Sequence, residues 1–252
     1  MLKTRIMPTL LFKDLGLVKG IGFDSWRRVG SVMQAVKVYN LREVDELVFV
    51  DISATRDGRT PDLETVDTIA DECFMPLTVG GGVRTIEDFR NLLRVGADKV
   101  AVNTAAVLNP SLIAEAARTF GEQCVVVSID ARRRPGGGHE VFTHAGTQPT
   151  GLDVVDFARE VERRGAGEIL LTSIERDGTM SGYDLELVSS VSAAVGIGVI
   201  ASGGAGRYHH MAEAILRGRA SAVAAAAIFH YTEQTPLEAK RHLKERGIPV
   251  RL

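Results

Sequence analysis

Met75–Ala106 reads MPLTVGGGVRTIEDFRNLLRVGADKVAVNTAA. A short apolar run leads into a glycine triplet, then an amphipathic segment, a Gly-Ala-Asp turn and a second apolar run. This is the grammar of strand, tight turn, helix, turn and strand. Thr85 followed by Glu87 and Asp88 marks a helix start, with a hydroxyl cap and acids in the first turn. Ile86, Phe89, Leu92 and Leu93 recur at helical spacing, and Gly96 ends the run. Amides of the Gly80–Gly82 turn are available to an anion.

The stretch recurs. Ile197–Phe229, IGVIASGGAGRYHHMAEAILRGRASAVAAAAIF, aligns its glycines and apolar runs at an offset of 122 (197 − 75). Glu46–Gly58, ELVFVDISATRDG, resembles Glu168–Gly178, EILLTSIERDG, at the same offset. The chain therefore divides into two similar halves, about 1–122 and 123–252. Two halves of strand–helix–strand–helix in 252 residues predict an α/β fold: one (β/α)₈ TIM barrel built from two similar half-barrels.

Expected strands are Arg5–Phe12, Glu46–Ile52, Met75–Val79, Lys99–Val102, Cys124–Ile129, Glu168–Thr172, Val199–Ala201 and Ala222–Ala226. Expected helices are Ser31–Tyr39, Leu63–Ala70, Ile86–Val95, Pro110–Phe120, Leu152–Arg164, Asp184–Ala194, Tyr208–Leu216 and Leu237–Glu245. The strand runs are continuously apolar, as helices on the outer face require. Arg132–Gly138 reads as a long, mobile βα loop.

Composition excludes several classes. A net charge of −2 gives no basic field for nucleic acid. No apolar run is long enough for a membrane span, and MLKTRIMPTLLFKD becomes charged too soon for a signal peptide. Cys73 and Cys124 read as buried, reduced thiols of a cytoplasmic protein. His144, His209, His210 and His230 lack metal-ligand spacing, so neither metal nor cofactor is expected.

Polar residues gather just after the strands, where such barrels place their active sites. The Gly80–Gly82 and Ser202–Gly204 turns leave opposite sides of the ring and suit a ligand with a phosphate at each end; tight strand–helix packing is the alternative. Asp130 and Asp177 are candidate acid/base groups at strand ends, though Asp177 also suits a plain R-D-G-T turn. The half-repeat sets Leu11 opposite Asp130, and a leucine transfers no proton; Asp14 could replace it only if its loop folds inward. Lys19 lies in the first βα loop, either reaching over the mouth or solvated. Arg5, Glu46, Lys99 and Glu168 fall at strand starts and could interlock as a charged ring closing the base, a face whose default role is stability.

The strings DELVFVDI, PLTVGGGVRT, GADKVAVNTAAV, CVVVSIDARRR, PTGLD, GAGEILLTSIERDGTMSGYDLEL, VIASGGAG, AIFHY and LKERGIPVRL together resemble the cyclase subunit of imidazole glycerol phosphate synthase, a lyase of histidine biosynthesis. The resemblance covers essentially the whole chain. It implies a barrel whose base docks a glutaminase subunit and whose axis carries ammonia to the top. Arg5, Glu46, Lys99 and Glu168 match that family's ammonia gate, and Asp98 matches a position facing the glutaminase. Asp130 matches one of two ring-closing aspartates; the other falls on Leu11, within PTLLFKD where the family reads PCLDVKD. Lys19, Gly82, Asn103, Asp177, Gly203 and Gly204 match positions the family keeps, Asp177 beside Asp130 as a catalytic candidate; the expected substrate- and phosphate-binding set is Lys19, Gly81, Gly82, Asn103, Thr104, Gly203, Gly204, Ala226 and Ala227, with Ala227 standing where the family has serine.

Three further strings, LLFKDLGLVK, RRVGSVMQAVKVYNLREVDELVF and DECFMPL, resemble a branch of cyclase-like barrels associated with glycosyl amidation in surface-polysaccharide pathways. That resemblance implies ammonia supply to a separate sugar amidotransferase. A true cyclase relying on Asp130, and a non-catalytic phosphosugar-binding regulator, are the alternatives.

Overall fold

The computed structural model describes residues 3–14 and 16–252; Met1, Leu2 and Leu15, parts of the N-terminal strings quoted above, lie outside them. The first half runs β1 (Arg5–Lys13), β2 (Gly16–Ile21), β3 (Asp24–Gly30), α1 (Val32–Leu41), β4 (Leu47–Asp51), α2 (Leu63–Glu72), β5 (Leu77–Gly80), α3 (Ile86–Arg94), β6 (Lys99–Val102), α4 (Thr104–Leu108) and α5 (Ser111–Phe120). The second runs β7 (Val125–Arg133), β8 (His139–Thr143), β9 (Gln148–Asp153), α6 (Val154–Arg163), β10 (Glu168–Ser173), α7 (Leu185–Ala194), β11 (Gly198–Ser202), α8 (Tyr208–Leu216), β12 (Ala222–Ala225), α9 (Ala227–Tyr231) and α10 (Pro236–Glu245).

Eight strands pair in parallel and close on themselves, in the order β1, β4, β5, β6, β7, β10, β11, β12 and back to β1. The expected α/β TIM barrel is the observed fold. Alternate strand residues face the axis, so Met7, Val48, Val126, Leu170, Ile200 and Ala222 form an inner apolar cluster, separate from the larger core between strands and helices. In α3, Thr85 and Asp88 form the reciprocal capping box that the sequence signalled.

Two expectations fail at the top of the barrel. Lys19 does not lie in a loop: β2 and β3 form an antiparallel hairpin that extends β1, and Lys19 sits within β2, 1% exposed. Arg132–Gly138 is likewise no long loop. β7 continues through Arg133 and pairs with β8, leaving a tight turn in which Gly136, Gly137 and Gly138 all take positive φ. The β8–β9 pairing also uses Leu152 and Asp153, so α6 starts at Val154 with Asp153 as its cap. Hairpins thus follow the first strand of each half, β1 and β7. Cys73 and Cys124 are free but half-buried rather than buried.

Candidate functional site

The C-terminal ends of the strands surround a cavity of about 490 Å³. That is a size suited to a small-molecule ligand. Asp130 ends the axial part of β7, 8% exposed, and burial with the nearby Asp177 carboxylate pushes its carboxyl up to about 7. Asp177 is buried too, which raises its carboxyl, while Lys19 Nζ at 2.6 Å and the Gly178 amide pull the other way. Leu11 lines the same cavity from β1, beside Val50 of β4. Asp14 does not fold inward: it is exposed at the end of β1 and takes positive φ.

Both glycine turns border the cavity. At Gly82, φ is +64° and a Cβ would sit 1.8 Å from the Arg59 carbonyl oxygen; at Gly204, φ is +109° and a Cβ would meet the Gly182 carbonyl at 2.2 Å. Neither position can hold a side chain, which brings the backbone itself to the mouth. The Gly82 amide donates to Thr55 Oγ1 at 3.1 Å. Asn103 does not reach freely into the mouth. Its Nδ2 donates to the Ser128 and Phe142 carbonyls at 3.1 and 3.2 Å, tying β6 to β7 and β8. Thr104 Oγ1 donates to Asn103 Oδ1 and accepts from the His144 amide. Gly81, Gly203, Ala226 and Ala227 complete the expected rim, with methyl groups at the β12 end.

Several contacts escaped sequence reasoning, although Asp51 itself falls among the polar residues that follow the strands. Asp51 is buried and held by Arg59 Nη1 at 2.6 Å, which places a guanidinium beside the Gly81–Gly82 turn. His139 of β8 contacts Asp184 at 3.1 Å; burial opposes ionisation there, yet His139 and the Leu187 amide hold the Asp184 carboxyl at about 2. Phe23 and Trp26 of the first hairpin line the cavity from above. The residue type alone gave no signal for Arg59, for the His139–Asp184 contact or for Phe23 and Trp26.

At the other end of the axis the four charged strand-start residues do interlock. Arg5 bonds Glu46 at 2.7 Å and also Glu168; Lys99 bonds Glu46 at 2.9 Å and Glu168 at 2.7 Å. Each base thus bridges both acids in a closed cycle. Burial alone would raise the Glu168 carboxyl, but Arg5 and Lys99 bring it below the ordinary range. Thr78 Oγ1 donates to Glu46 at 2.9 Å. Asp98 is exposed on this face and caps the start of β5 by accepting from the Leu77 amide at 2.8 Å. Leu41 and Phe74, which precede β4 and β5, are 86% and 84% exposed. Between ring and cavity lies an apolar layer that includes Met7, Val48, Val126 and Ile200.

Among the described residues no cluster of three or more His, Cys, Asp or Glu has the arrangement to hold a metal ion, and no helix is long and apolar enough to cross a membrane. Comparison with protein families gives a match to the model described as histidine biosynthesis protein over residues 5–235. The chain belongs to that family.

Proposed function

We propose that this member of the histidine biosynthesis protein family is the barrel subunit of a glutamine-dependent amidotransferase system. A glutaminase subunit of the class I glutamine amidotransferase type docks at the base, and ammonia released there enters through the Arg5–Glu46–Lys99–Glu168 ring. It passes the inner apolar layer and reaches the upper cavity, which holds a phosphorylated small molecule. The ammonia then serves a separate amidotransferase acting on a nucleotide-linked sugar in surface-polysaccharide biosynthesis, in the cytoplasm.

One observation carries this reading. A closed cycle of ion pairs lies on the same axis as the upper cavity, with an apolar layer between them. A binder of phosphosugars alone has no use for such a cycle on its far face. The exposed Leu41 and Phe74 and the carboxylate of Asp98 give the base the mixed apolar and charged character of a docking surface. Cyclase chemistry is weakened by Leu11, because losing one proton-transfer group costs on the order of 10²–10⁴ in rate. Asp177 does not readily replace it, since its carboxylate is engaged by Lys19 at 2.6 Å.

The test is reconstitution with the glutaminase. Lys99→Met and Glu46→Gln should lower glutamine-driven amidation at least about tenfold, while reaction driven by ammonium salt persists. Native-level activity of both variants from glutamine would refute the passage.

A second reading, the ring-closing lyase of imidazole glycerol phosphate synthase, draws support from Asp130, whose carboxyl at about 7 suits acid/base work near neutral pH. Turnover of the phosphoribosyl-formimino precursor with ammonium salt separates the two: robust turnover by the native chain favours the lyase.

A further inference from the structure

Arg5 and Glu46 owe their places in the base ring to neighbours that lie outside it. The β1–β4 ladder begins only at Thr9 and Val48. Below that level no strand pairing joins the starts of the two strands, which carry Arg5 and Glu46. A side chain closes the gap. Asp45, immediately before Glu46, accepts through Oδ2 from the amide of Ile6, immediately after Arg5, at 2.9 Å.

The other carboxylate oxygen of Asp45 is held from a helix. Lys240 Nζ of α10 meets Asp45 Oδ1 at 2.9 Å and donates to the Glu43 carbonyl at 2.8 Å. Glu43 takes φ of +48°, a left-handed conformation disfavoured for a residue with a Cβ, and the ammonium holds its carbonyl. Lys240 is 3% exposed and Asp45 9%. Charges buried to this degree stay together, because either one alone would have lost its solvation without a partner. A second tie runs alongside: the Thr4 amide, just before Arg5, donates to the Pro249 carbonyl at 2.7 Å. The segment that contains α10 and Pro249 thus grips β1 and the approach to β4 on both sides of the Arg5–Glu46 contact.

The other two ring residues are placed differently. Asp98, before Lys99, also accepts an amide of the adjoining strand, from Leu77, but it is exposed. Gly167, before Glu168, is tied by its own amide to the Val125 carbonyl at 2.9 Å. Of the four, Arg5 and Glu46 are the ones braced by a buried ion pair from a helix. Their own contact, at 2.7 Å, is short and directional, so it responds to small displacements of either strand.

We infer that Lys240 and Asp45 are positioning residues for the ring: through them α10 sets the spacing of Arg5 and Glu46. The inference deepens the proposed function and rests on that reading where it concerns ammonia; the placement of the ring is measured without it.

The full chain carries the test. Lys240→Met combined with Asp45→Asn removes both buried charges and leaves Ile6 an acceptor. Asp45→Asn alone is the milder change and serves where the double variant does not fold. Val141→Ala, at a fully buried site of β8 near the opposite end of the barrel, is the destabilised control. The reporter is the Arg5 Nε–H signal in heteronuclear NMR spectra, assigned by its loss in Arg5→Lys. Both Asp45 variants should shift that signal, and Val141→Ala should leave it in place. On reconstitution with the glutaminase, they should lower glutamine-driven amidation at least about threefold while the ammonium-driven reaction persists. A native Arg5 signal in the Asp45 variants overturns the inference, and so does an equal shift in Val141→Ala, the mark of general loosening. A shifted signal with native glutamine-driven amidation upholds the positioning and counts against ammonia passage through the ring, so the two proposals fail separately.

Discussion

Replacing Asp130 by asparagine should stabilise the barrel at neutral and alkaline pH. Burial and the Asp177 carboxylate push the Asp130 carboxyl from 3.8 up to about 7. Between those values the native state holds a proton that the unfolded chain has released. Stability from this group is therefore complete below about pH 4 and is lost as pH rises through about 7. Each unit of pKa is about 1.4 kcal/mol, so a shift of about three units corresponds to roughly 4 kcal/mol of destabilisation above pH 7. Asparagine has a similar shape and no charge. Its stability advantage over the native chain should grow by roughly 2–3 kcal/mol between pH 5 and pH 8. Urea unfolding of both proteins across that range measures the difference, and subtraction cancels the titration of groups common to both. A difference that stays flat within about 0.5 kcal/mol would mean that the carboxyl titrates normally, and the reasoning from burial would be wrong.

Further outcomes follow from other contacts. Leu11→Asp should raise turnover of the phosphoribosyl-formimino precursor and lower stability by roughly 1–3 kcal/mol, because a carboxyl replaces a side chain packed on Val50; precursor loss and urea melts read the two effects. Gly82→Ala should cost about 2 kcal/mol or more, since its Cβ would meet a carbonyl oxygen at 1.8 Å; thermal melts check it. Lys99→Met should cost roughly 2 kcal/mol in urea unfolding, because Glu46 and Glu168 would keep Arg5 as their one shared cation; an unchanged midpoint would count against the ring as a coupled unit. Lys19→Met should leave Asp177 buried without its cation and push its carboxyl further up, so stability should fall more steeply with rising pH than in the native chain.

The barrel was legible because its signals are local and repeated. Gly80–Gly82 and Ser202–Gly204 each follow an apolar run, and at Gly81, Gly82, Gly203 and Gly204 a Cβ would collide with backbone carbonyl oxygens. The base ring was legible for a related reason: four charges at the starts of otherwise apolar strands have little to do except meet one another. The hairpins were not legible. The β2–β3 turn places Phe23 in the left-handed region beside Gly22, where hairpin turns usually announce themselves with Asn-Gly or Asp-Gly. Composition alone made Arg132–Gly138 look loose, while pairing with β8 extends β7 into it. The Asp51–Arg59 and His139–Asp184 contacts depend on side-chain geometry that no spacing rule encodes. Asn103 lines the cavity, and its side-chain amide also holds two backbone carbonyls, a task that shapes the rim and that no spacing rule announces.

The same geometry explains how the two ends of the barrel could part company in function. The ion-pair cycle is closed by Arg5, Glu46, Lys99 and Glu168 among themselves, with Thr78 as an added donor. None of these contacts reaches Leu11 or Asp130. Residues that share no partner and are separated by packed layers contribute to stability almost independently. A leucine at position 11 thus leaves the base undisturbed, and its side chain joins Val50 and Ile52 in an apolar wall instead of leaving an unpaired group. Asp130 keeps the cost of its burial without an acidic partner at position 11. Stability alone would favour asparagine or an apolar residue there, so a buried carboxyl at this place argues for a ligand or a proton handled in the upper cavity.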